Sequence, residues 1–141
     1  MKKIFNIMLI TFFLSLNVAS AAVIEYVDHI ECYYGNTNYP YVDYGNHFGT
    51  IIDVTSAIRE PSSNYYFDYI KVTKFLVDFS TGKHEFEGWL VFKVNLTDGR
   101  LYFNNNNNSD WLEIHPADRL LGRLMTKAYY RCHDKIIHKD T

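Results

Sequence analysis

The 141-residue chain lacks most of the patterns that announce a particular chemistry. It has two cysteines, Cys32 and Cys132, too few for a cysteine-built zinc site. Even with His133 and His138, the second cysteine gathers at most three ligands, so no metal and no cofactor is expected. His84-Glu85-Phe86-Glu87 has no second histidine four residues on, which rules out a zincin helix. The His-x-Glu of a zinc deaminase would need a Pro-Cys-x-x-Cys partner, and none occurs. There is no Gly-x-Ser-x-Gly elbow for a serine nucleophile either. No catalytic residue is assigned.

Long apolar runs are also missing, with one exception at the start. Met1, Lys2 and Lys3 precede an apolar stretch from Ile4 to Val18, and Ala19-Ser20-Ala21 places small residues at the two positions signal peptidase reads. Residues 1–21 are therefore expected to be a secretory signal peptide and 22–141 a single secreted domain, periplasmic or released from a bacterial cell. The stretch falls short of the roughly 20 apolar residues of a membrane anchor. Lipidation needs a cysteine at the cleavage point, and Cys32 lies well beyond it. An outer-membrane barrel needs at least about eight strands of about ten residues, more than the remainder supplies. No membrane anchor is expected after cleavage.

Basic charge is scarce as well. Of the 14 basic residues two lie in the leader and none of the 16 acidic ones does, so the mature chain stands near −4 and nucleic acid is a poor partner. Arg119, Arg123, Lys127 and Arg131 recur every four residues, the pattern of the solvated side of a helix.

What the chain has in abundance is aromatic side chains: twelve Tyr and two Trp, all after the leader, and ten Phe. Such residues favour strands. Alternation predicts strands over Val23–Tyr34, Phe48–Thr55, Tyr65–Phe79 and His84–Thr97, with a Gly, Asn and Pro-rich loop over Gly35–Asn46, a connection over Ser56–Asn64 and a turn at Thr81-Gly82. Within the fourth strand Phe86, Leu90, Phe92, Val94 and Leu96 share one face, and Trp89 and Val91 the other. Asp98-Gly99 reads as a two-residue hairpin turn, which would set Leu96 opposite Leu101 and Val94 opposite Phe103. Asn104–Asn108 reads as a spacer. A helix is expected from Pro116 to about His133, with Leu120, Leu121, Leu124, Met125, Ala128 and Cys132 as its apolar stripe. The fold class is α+β: an antiparallel, meander-like sheet of about five strands with one C-terminal helix packed on it. In an oxidising compartment Cys32 and Cys132 are expected to pair and staple the domain.

The residues that carry the functional expectation are Tyr33, Tyr34, Tyr39, Tyr41 and Tyr44, interleaved with Gly, Asn, Thr and Pro as in adaptable binding loops, together with Trp89 on the face opposite the core parity. The first reading is an exported non-enzymatic binding protein, such as an inhibitor or immunity protein that occludes a toxin or hydrolase. The second is a carbohydrate-binding subunit of a secreted toxin. The third is a small hydrolase assembled from Glu85, Glu87, His29, His47 or His115. The sequence favours binding over catalysis, with a protein or glycan partner outside the cytoplasm.

Overall fold

Strand alternation and a single helical stripe organise the computed structural model, which describes residues 32–106, 110–116 and 119–139. The leader and most of the strand expected over Val23–Tyr34 lie outside the described residues. The chain enters at Cys32, whose backbone bridges Pro40, and turns through a short 3-10 segment at Tyr33–Gly35 instead of continuing as a strand. Tyr34 and Gly35 both adopt positive φ there, +49° and +67°, which ends any extended run.

Six strands follow: β1 (Tyr41–Tyr44), β2 (Phe48–Arg59), β3 (Phe67–Asp78), β4 (His84–Asn95), β5 (Leu101–Asn105) and β6 (Leu112–Ile114). They hydrogen-bond in sequence order, each antiparallel to the next, so the expected meander is the observed topology, curled into a half-barrel. β1 lies within the segment read as loop, because Tyr41 and Val42 bury against the sheet despite their Gly and Asn flanks. The helix α1 (Arg119–Lys139) closes the chain and packs on β1 and β2.

The core lies between this helix and one face of the sheet. Ile52, Ile70, Val72, Leu90 and Phe92 point into it from the strands, and Met125, Ala128, Tyr129, Cys132 and Ile136 from the helix. Each fully buried large side chain contributes about 1.5–3 kcal/mol relative to exposure. Leu124, Met125, Ala128 and Cys132 are buried, Leu121 is largely exposed, and Arg123 and Lys127 face solvent as the four-residue spacing implied. The helix runs past His133 because Ile136 extends the stripe, and the Lys139 ammonium ties the last turn to the sheet by donating to the Thr55 carbonyl at 3.0 Å.

Several further expectations need correction. Residues 56–59 of the expected connection continue β2 to Arg59, and Asn104 and Asn105 of the expected spacer belong to β5. Cys32 and Cys132 are not bonded to each other. Cys132 belongs to the cluster between sheet and helix, where burial first, and the Asp53 carboxylate second, push its pKa up to about 12. A thiol held protonated and away from solvent is withdrawn from the thiolate exchange that makes disulfides.

The β4–β5 turn is longer than two residues. Phe103 pairs with Phe92 and Leu101 with Val94, so the loop spans Leu96 to Gly99 and Leu96 is 61% exposed. Side-chain oxygens decide this: Asn95 Oδ1 accepts the Thr97 N–H and Asp98 Oδ1 the Arg100 N–H, each at 2.9 Å. Gly99 takes φ +74° and Asp98 stays outside the left-handed region that a type I′ turn demands.

Phe86 does not share a face with Leu90. Lys74 pairs with Gly88 but Phe75 pairs with Phe86, so Glu87 is an extra residue that moves every β4 side chain before it to the other face. Gly88 permits this with φ +113°, a conformation side chains rarely adopt.

Candidate functional site

Because alternate strand residues point to opposite faces, the β3 positions between the core residues, Phe67, Tyr69, Lys71, Thr73 and Phe75, project away from the helix. On β4 the same face receives Trp89, Val91 and Lys93 and, through the bulge, His84 and Phe86. Six of these ten side chains are aromatic rings, His84 included.

One strip of rings crosses it without a break. Tyr34 meets Tyr33 at 4.4 Å between centroids, Tyr33 meets His84 at 6.4 Å, and His84 meets Phe75 at 6.0 Å. Phe75 then meets Phe86 at 6.1 Å and Phe86 meets Trp89 at 5.6 Å. The Lys71 ammonium lies 4.7 Å from the Trp89 ring centre and ends the strip. Tyr34, Phe86 and Trp89 are 72, 57 and 40% exposed. The 3-10 segment is fixed to the β3–β4 turn by the Tyr33 hydroxyl, which donates to the Gly82 carbonyl at 3.1 Å.

Successive rings in this strip are steeply inclined, by 66°, 64°, 77°, 76° and 80° from Tyr34 to Trp89. Edges and faces alternate along it, as edge-to-face pairs prefer. The surface is corrugated, not planar.

A second cluster occupies the far end of the same face. The Lys93 ammonium stands 4.4 Å from the centre of Trp111, 4.8 Å from Tyr102 and 5.1 Å from Phe67, with its pKa lowered by burial. Tyr69 adds to it, 5.8 Å from Trp111. Between strip and cluster, Glu60 lies 3.5 Å from the Lys71 ammonium.

The structure brings Tyr33, Tyr34 and Trp89 into one strip although they are far apart in sequence. Tyr41 has a different place: it is 3% exposed, packs against Phe79 and Tyr44, and lies so close to Gly49 that a Cβ there would stand 2.9 Å from its ring. Tyr44 is half-buried beside it, and Tyr39 is half-buried with its backbone closing the 3-10 loop, the Tyr33 N–H donating to its carbonyl at 2.8 Å. Phe75, His84 and Phe86, the middle of the strip, were missed by sequence reasoning. Phe75 shares its parity with Phe67 and Tyr69 along β3, whereas the bulge in β4 obscured the placing of His84 and Phe86 on the same face.

His115 lies 3.8 Å from Glu113, Glu87 lies 3.6 Å from Lys74, and no hydrogen bond or ion pair among the described residues joins His47 or His115 to Glu85 or Glu87. His29 lies outside the described residues. Among those residues no group of three or more His, Cys, Asp or Glu side chains is placed to hold a metal ion, and no helix is long and apolar enough to cross a membrane. Comparison with protein-family models, curated proteins and solved structures gives no match.

Proposed function

We propose that the chain is an exported, non-enzymatic binding protein that presents the strip from Tyr34 to Trp89 to a protein partner, in the manner of an inhibitor or immunity protein that occludes a toxin or hydrolase. The observation that carries this reading is the unbroken run of partly exposed rings on a strand-built face. Contiguous exposed apolar surface marks interaction sites, and aromatic anchors supply much of the energy of protein interfaces. Four of the rings stand on β3 and β4, Tyr33 and Tyr34 on the tethered 3-10 segment, and each contacts the next, so less side-chain freedom remains to be lost on binding.

The steep inclination of successive rings separates a protein from a polysaccharide on this surface. A flat sugar chain needs rings lying in one plane, whereas apolar side chains of a protein fill the notches between inclined rings. His84 is flanked by Tyr33 and Phe75, which supports a contact role over an acid–base one.

The test is capture of the partner by the purified protein, followed by titration with the recovered partner. Tyr34→Ala, Phe86→Ala and Trp89→Ala should each weaken binding about 10- to 100-fold, the range of interface anchors, while the melting temperature stays near that of the parent. Unchanged affinity in all three would overturn the reading. A defined ring-shaped oligomer in light scattering would favour a toxin subunit instead.

A further inference from the structure

The far end of the aromatic face holds a cleft of about 420 Å³, a volume within the range of small-molecule sites. Its floor is made by Val91 and Asn104, paired across β4 and β5 and only 8% and 4% exposed. Tyr69 and Trp111 line it as an aromatic wall, and the connection between β2 and β3 contributes Glu60, Ser62 and Ser63 as a rim. That rim is anchored where the Glu60 N–H donates to the Tyr69 carbonyl at 2.9 Å. The wall is fixed too, since the Lys93 ammonium stands against Trp111.

Three features define the ligand this cleft suits. Its wall offers ring surface, which attracts the C–H face of a pyranose. Floor and rim supply an amide, a carboxylate and two hydroxyls, donors and acceptors of the kind that hydrogen-bond sugar hydroxyls. The charged groups nearby already have partners: Glu60 faces Lys71 at 3.5 Å, and the Lys93 ammonium stands against three rings. A charged ligand would disturb those arrangements, and a neutral polyhydroxylated one would not.

We propose that this cleft is a binding site for a neutral mono- or disaccharide, with Trp111 and Tyr69 contacting the sugar ring and Asn104, Glu60 and the two serines its hydroxyls. The site is separate from the Tyr34–Trp89 strip and does not rest on the reading given to that strip.

The experiment is a titration of the 15N-labelled protein with a panel of neutral pyranoses and their disaccharides, beside glucuronate as a charged control. The protein has two tryptophans, and Trp89→Phe assigns their indole signals. A panel member should shift the Trp111 indole signal saturably and leave that of Trp89 in place. Asn104→Leu should weaken the interaction at least tenfold. Ser63→Trp, a substitution at an exposed rim position that fills the cleft without touching the core, should do the same in a protein whose dispersed spectrum shows it folded. No saturable shift with any neutral sugar, a response to glucuronate alone, or binding undiminished in Ser63→Trp would each overturn the proposal. Loss of partner capture in the strip variants with sugar binding intact, or the reverse, would identify which of the two surfaces fails.

Discussion

Asn106 holds both backbone groups of Trp89: its Oδ1 accepts the Trp89 N–H at 2.9 Å and its own N–H donates to the Trp89 carbonyl at 2.9 Å. Gly88 lies under the same side chain, and a Cβ at position 88 would collide with the Asn106 amide. Asn106 itself takes φ +55°, a conformation asparagine tolerates better than most residues. Gly88→Ala combines a steric collision with an unfavourable φ and is expected to cost about 1–3 kcal/mol or more. Asn106→Gly retains the backbone conformation and loses the side-chain acceptor, so about 1 kcal/mol is expected. Urea unfolding of both variants checks the order. A larger loss in Asn106→Gly than in Gly88→Ala would contradict this account of the bulge.

The four-residue loop between β4 and β5 makes a separate prediction. With Leu96 in the loop and not opposite Leu101, Leu96→Ser should change stability by no more than about 0.5 kcal/mol, the ordinary scale of a surface substitution. Had the two-residue turn formed, the same change would have removed a core side chain. Gly99→Ala should cost about 1 kcal/mol because of its φ of +74°. Chemical denaturation of Leu96→Ser decides between the registers, and that of Gly99→Ala checks the positive φ.

Those two loci mark the limit of what the sequence makes legible. The helix and its stripe and the long third and fourth strands follow from periodicity, because periods of 2 and 3.6 are written directly in residue type; strand order is not, and the meander was expected only as the economical arrangement of the elements. The bulge is not written there either, since it depends on whether an unpaired residue can be tolerated at Glu87 when Gly88 and Asn106 meet across strands. One such residue moved Phe86 from the expected core to the strip. The turn was misread because Asp98-Gly99 also fits a longer loop once Asn95 and Asp98 accept backbone hydrogen bonds. Of the candidate site, Tyr33 and Tyr34 were visible as part of a tyrosine-rich loop and Trp89 as the residue opposite the core parity. Their contiguity through Phe75 and His84 needed the register.

The proposed export and the unbonded cysteines make joint expectations for protein recovered outside the cytoplasm. Its first residue should be Ala22, and its intact mass should correspond to two free thiols. Both cysteines are buried, at 4% and 0% exposure, so alkylation should be slow in the native protein and complete in denaturant. Reductant should leave the melting temperature unchanged. A retained Met1 would remove the leader, and a mass lower by two hydrogens would restore the disulfide.

Alkaline pH should unfold the protein through two groups in the helix. The Cys132 thiol rises from 9.0 to about 12, first through burial and then through Asp53. The Tyr129 hydroxyl rises from 10.0 to about 12, first through burial and then through Asp68 and Tyr130, with Arg59 opposing. Both native pKa values exceed the unfolded ones, so the unfolded chain sheds protons that the native one retains, and stability falls as pH rises. The contribution is fully present below about pH 9, declines from there for Cys132 and from about pH 10 for Tyr129, and is exhausted near pH 12. At 1.36 kcal/mol for each pKa unit, Cys132 accounts for no more than about 4 kcal/mol of this loss. Cys132→Ala should therefore move the onset of the decline from about pH 9 to about pH 10, whatever it costs at neutral pH through the cavity it leaves. Tyr129→Phe should leave the onset where it was and make the decline shallower above pH 10. Urea unfolding measured in steps across this range reads the slopes directly, and identical slopes in parent and Cys132→Ala would show that the thiol titrates alike in the folded and unfolded chain.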